Sequence, residues 1–72
     1  MKKIEVLNKN IEILNLDSII LKKLNYINIC KVEDLWKCKK EELKDNNFTN
    51  SDIAHIKVRL QLIGLDLNGK VY

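Results

Sequence analysis

Thr49-Asn50-Ser51-Asp52-Ile53-Ala54-His55-Ile56-Lys57-Val58-Arg59-Leu60-Gln61-Leu62-Ile63-Gly64 is the stretch on which the fold turns. Ile53, Ile56, Leu60 and Ile63 recur at i, i+3, i+7 and i+10, the spacing of one face of an α-helix. Three residues suited to capping, Thr49 to Ser51, stand before it, and Gly64 sits where a left-handed C′ residue is expected. The pattern predicts a helix over 52–63 that forms the spine of the domain. Leu65 and Leu67 are expected to fold back on it after the Gly.

The segments before this helix are shorter. Cys38 to Lys44 reads as a brief helix with Leu43 facing inward and Glu41 and Glu42 outward, broken by Asn46 and Asn47. Val32-Glu33-Asp34-Leu35-Trp36 reads as one or two helical turns, with acids at its start and Lys37 at its end, as the helix dipole favours. Asp17 is a good N-cap for a helix over 18–26, whose apolar positions Ile20, Leu21, Leu24 and Ile27 share one face; Asn28 follows where a left-handed residue would stop it. Residues 4–16 settle on neither the helical nor the strand period and are expected to be an irregular or briefly extended lead-in. Asn is the punctuation throughout, because it tolerates left-handed backbone and competes for backbone hydrogen bonds. No strand pair is evident. The expected fold is therefore all-α, a compact bundle of four to five helices in one domain: a lead-in (1–16), a helical core (17–67) and a tail (68–72).

Composition narrows the function. A chain of 72 residues makes one small domain, whose core cannot enclose an active-site cavity of roughly 300 Å³ and stay packed. The 46% hydrophobic content, rich in Leu and Ile, excludes disorder, and a net charge of +3 permits an anionic partner without requiring one. The longest apolar run is Ile19-Ile20-Leu21, far short of a membrane span, and Met1-Lys2-Lys3 is not followed by the apolar stretch of a secretory signal. A cytoplasmic protein with no membrane partner is expected. Cys30 and Cys38 with the single His55 do not make a zinc ligand set, so two reduced thiols are expected, one of them partly buried, and no metal or cofactor. His55 has Asp52 at i−3 and Lys57 nearby, but no nucleophile pairs with it, which argues against an enzyme.

Several stretches together resemble a known family: Val6-Leu7 with Ile11-Glu12-Ile13-Leu14-Asn15-Leu16-Asp17, Leu24, Asn28-Ile29-Cys30-Lys31-Val32-Glu33-Asp34-Leu35, Glu42-Leu43-Lys44, then Ile53, Ile56, Leu60 and Gly64-Leu65-Asp66-Leu67. In its apolar positions, turns and helix lengths the chain resembles the C-terminal domain of the bacterial RNA polymerase alpha subunit, a helix-hairpin-helix-like domain, over nearly its whole length. The resemblance implies a role in transcription: weak binding to the minor groove of AT-rich promoter DNA, and contacts with RNA polymerase, sigma factor or a transcription regulator. Met1-Lys2-Lys3 and the lack of a linker favour a free-standing protein, though a piece of a longer alpha subunit would read the same.

On the family's DNA-reading face, the Arg of the first helix corresponds to Ile19 here and the following Asn to Lys22. The turn before the last helix becomes Asn47-Phe48-Thr49-Asn50-Ser51-Asp52, keeping its Asn but replacing its Gly by Thr49, its second Lys by Ser51 and its Ser by Asp52. Ile19 gains nothing from the concentrated negative potential of a narrow minor groove, and Asp52 repels phosphate. Two readings follow. In one the domain still binds DNA, through Lys22, Lys23, Asn47, Asn50, Ser51 and Lys57. In the other it has kept the fold, lost DNA binding and become a protein-interaction module, with Ile19 and Tyr26 as contact residues and self-association as one outcome. Trp36 and Phe48 are expected in the core.

Overall fold

Four asparagines, Asn15, Asn28, Asn47 and Asn68, adopt left-handed backbone with φ of 55°, 63°, 68° and 67°. Each stands where an element ends or turns, as the short polar side chain allows. The computed structural model describes residues 3–71; Met1 and Lys2 of the expected lead-in and Tyr72 of the expected tail lie outside the described residues. Among these the elements are α1 (Lys3–Leu7), a 3-10 turn (Ile11–Leu14), α2 (Ser18–Tyr26), α3 (Val32–Lys37), α4 (Lys40–Asp45), α5 (Asn50–Gln61) and two short strands, β1 (Leu65–Asp66) and β2 (Lys70–Val71). The domain is mostly helical, with a small two-stranded sheet.

α5 begins with a capping box. Thr49 Oγ1 accepts from the Asp52 N–H at 3.1 Å and the Asp52 carboxylate accepts from the Thr49 N–H at 3.1 Å, so two otherwise orphaned donors are satisfied reciprocally. This box moves the helix start two residues before the expected 52 and makes Asn50 and Ser51 its first turn. Ile53, Ile56 and Leu60 are buried, at most 2% exposed, while Ile63 lies past the helix end and is half-buried. Leu62 is the C-cap and the left-handed Gly64 (φ 78°) follows two residues later, one place beyond the C′ site expected for it. The Asp17 side chain accepts from the Ile19 N–H at 3.1 Å and caps α2 over the expected residues.

Three expectations are corrected. The lead-in is not irregular: α1 buries Val6 against the core, and Asn10 caps the 3-10 turn by accepting from the Glu12 N–H at 2.9 Å. With only five and four residues, neither piece is long enough to display a period. This segment is tied to the centre by two backbone bonds, Ile11 N–H to the Cys30 carbonyl and Val32 N–H to the Lys9 carbonyl, both 2.9 Å. Cys38 does not open α4; it is the extended C-cap of α3, and α4 starts at Lys40.

The fold is also not all-α. β1 and β2 pair antiparallel, Leu65 with Val71 and Asp66 with Lys70, closed by Asn68 and Gly69, both left-handed. Asn-Gly is the dipeptide that such a hairpin turn prefers. Most of the 68–72 tail is thus ordered. The hairpin is stapled to α3: Asn68 N–H donates to the Cys38 carbonyl at 2.8 Å, Gly69 N–H to the Trp36 carbonyl at 2.9 Å, and Trp36 Nε1–H to the Lys70 carbonyl at 2.8 Å. β1 and α4 both pack on α5, and α1 packs on α3. Ile11, Leu24, Leu35, Leu43, Ile56, Leu60 and Leu65 meet in the middle with at most 1% exposure, each contributing roughly 1.5–3 kcal/mol of apolar burial. Phe48 is buried as expected, and Trp36 packs half-buried against this core.

Candidate functional site

The candidate nucleic-acid residues divide between two surface clefts. Lys22, Lys23 and Asn47 come together with Tyr26, Ile27 and Asp45 around an open cleft of about 390 Å³ between α2 and the α4–α5 turn. Asn50 and Ser51 stand exposed on the first turn of α5. Lys57 belongs elsewhere. It lines a separate cleft of about 310 Å³ with Lys39, Lys40 and Lys70.

In the α2 cleft Lys22 is exposed, but Lys23 is committed to the fold. Its ammonium donates to Asp52 Oδ2 at 2.9 Å and to the Asn47 carbonyl at 3.1 Å, and lies 5.5 Å from the centroid of the Phe48 ring. The hydrogen bond from Lys23, then that from the Thr49 N–H, holds the Asp52 carboxyl below the usual carboxylate range. Asp52 therefore binds one lysine of the candidate site and also the helix start that a phosphate would approach. Lys23 is thus not left free for a ligand but bridges α2 to α5.

Thr49, at the entry to α5, sits at φ −77°, a conformation any residue adopts, because the left-handed step of this turn is made two residues earlier at Asn47. The Cβ of Thr49 is thus accommodated without strain.

Ile19 is 63% exposed and Tyr26 89%. They lie seven residues apart on α2, hence on one face, flanked by Lys22. On α5, Val58 and Leu62 form a second exposed apolar pair at i, i+4. His55, three residues before Val58, is not an oriented base. Its Nε2 accepts from the Asp17 N–H at 3.3 Å, pinning the start of α2 to the middle of α5, while Asp52 faces Lys23.

Cys38 is buried and Cys30 exposed. Burial, reinforced by the Glu42 and Asp34 charges, pushes the Cys38 thiol up to about 11, and its Sγ–H donates to the Asp34 carbonyl at 3.2 Å. Among the described residues no three His, Cys, Asp or Glu side chains group as metal ligands, and no helix is long and apolar enough to cross a membrane. Lys39, Lys40 and Lys70 were not singled out by the sequence. The Lys37-Cys38-Lys39-Lys40 run was visible, but its meeting with Lys57 and Lys70 is a tertiary event. No family model matches the chain, and no curated protein matches it.

Proposed function

We propose that this chain is a non-catalytic, cytoplasmic helical domain of the bacterial transcription apparatus, a divergent relative of the RNA polymerase alpha C-terminal domain, that acts mainly by protein contact and binds promoter DNA weakly at its α2–α5 face. The observation that carries the reading is the Lys23–Asp52 pair at 2.9 Å. A cation that would meet phosphate is neutralised inside the fold, and the start of α5 carries a carboxylate in place of an anion-binding turn. The same face presents Ile19 and Tyr26, apolar and aromatic groups suited to a protein partner. The sequence resemblance supplies the transcription context, and the mostly helical fold with its long α5 is compatible with it.

The test is direct binding of the purified domain to bacterial RNA polymerase holoenzyme and core, with Ile19→Arg as the comparison. The reading expects saturable binding that Ile19→Arg weakens at least tenfold. Absence of polymerase binding at tens of micromolar domain would end it.

A further inference from the structure

We propose that the cleft between the start of α4, the middle of α5 and the β1–β2 hairpin binds the phosphate backbone of duplex DNA, at a site sharing no residue with the α2 cleft. Four lysines line it from three elements far apart in sequence: Lys39 and Lys40 at the start of α4, Lys57 from α5 and Lys70 from β2. None of the four takes part in either ion pair found among the described residues, Lys23–Asp52 and Lys37–Glu33. Two carboxylates share the cleft. Asp66, 6% exposed, lies in its floor with Oδ1 accepting from the Leu67 N–H at 2.8 Å, and the exposed Glu41 stands at its rim. The surplus is positive, whereas in the α2 cleft Lys22 and Lys23 face Asp45 and Lys23 is already paired.

The hairpin makes this surface rigid. The Lys70 carbonyl accepts from Trp36 Nε1–H, and the Asn68 and Gly69 amides are bonded to α3 carbonyls, so the Lys70 backbone is held in register with the start of α4. Lys57 is half-buried and lines the cleft from α5. The cleft is open, about 310 Å³ in volume, and lined by flexible point charges in place of an enclosed set of converging donors. That suits spaced phosphates along a duplex better than a single captured phosphate. The inference rests on this charge arrangement alone and does not require the transcription reading.

The test is fluorescence anisotropy with labelled mixed-sequence duplex DNA, titrated with the domain over a series of salt concentrations. Four phosphate contacts predict a slope of log K against log salt of about −3 to −4. Lys40→Glu/Lys57→Glu should weaken binding at least tenfold at low salt, and Lys40→Gln/Lys57→Gln should flatten the slope by about two. Circular dichroism should show unchanged helicity in both. Lys9→Glu, an exposed charge reversal that lines neither cleft, should leave affinity within about twofold. The proposal is overturned if the wild-type domain fails to bind at tens of micromolar in low salt, if Lys40→Glu/Lys57→Glu binds like wild type, or if Lys9→Glu loses as much. Displacement of the duplex by inorganic phosphate at constant ionic strength would overturn it too, since that would make the site one for a single phosphate.

Discussion

Lys23 of α2 and Asp52 of α5 meet at 2.9 Å, and the same Asp52 oxygen accepts the Thr49 N–H that opens α5. One carboxylate thus serves as helix cap and interhelical partner together. Because its pKa is lowered in the folded chain, its contribution is complete above the ordinary carboxylate value of 3.8 and is lost as pH falls through the lowered value. Asp52→Ala should cost about 1 kcal/mol near neutrality through the lost cap and should flatten the acid limb of stability against pH. Urea midpoints measured between pH 7 and pH 2 would show this, and an unchanged acid limb would refute it.

The two thiols should react very differently. Cys38 is buried with its thiol pushed up to about 11, while Cys30 is exposed. Under native conditions near pH 8, Ellman's reagent should label one thiol quickly and the second only as the protein opens. Cys30→Ser should remove the fast phase and leave the slow one.

Leu60 is fully buried near the end of α5. Leu60→Ala should destabilise the domain by about 2–5 kcal/mol, enough to unfold much of a small domain at room temperature. Val58→Ala, two residues away on the opposite, exposed side of the helix, should change stability by less than about 0.5 kcal/mol. Equal losses from the two would contradict the placement of the helix face.

Gly69 sits at φ 71° with open space where a Cβ would go, so its substitution meets strain without a clash. Gly69→Ala should cost about 1 kcal/mol from the left-handed backbone alone. Trp36→Phe should cost about 0.5–1.5 kcal/mol, the loss of its bond to the Lys70 carbonyl. Thermal melts of the two single variants and the double variant would show whether their effects couple, as a shared hairpin requires.

Ile19 and Tyr26 stand exposed on one face of α2. If that face also joins two copies, light scattering after size exclusion should give a mass that rises with concentration, and Ile19→Arg should restore the monomer. A monomer at every concentration would restrict the face to other partners.

Much of the helical framework is visible in the sequence because its signals are local. Asp17 caps α2, Asn28 ends it, and the Ile53, Ile56 and Leu60 stripe marks the buried face of α5; each depends on neighbours within a turn or two. The hairpin is not visible in this way: Asn68-Gly69 is a turn signal, but flanking strands of two residues carry no alternation to distinguish them from a tail. α1 and the 3-10 turn are tied to the centre by Cys30 and Val32, a long-range fact. The same limit hid the sites. Lys23 reads as a surface cation until Asp52 is placed beside it, and Lys39, Lys40, Lys57 and Lys70 become a cluster only once α4, α5 and the hairpin have packed.

α3 is six residues long, too short to persist as an isolated helix in water. Yet α1 lies against it from one end of the described chain and the hairpin is bonded to it from the other. Neither the amino-terminal half nor the carboxy-terminal half alone could then keep this keystone formed, so unfolding should be all-or-none. The Leu35 and Cys38 amides should exchange with solvent only as fast as the entire domain opens, which makes them gauges of global stability.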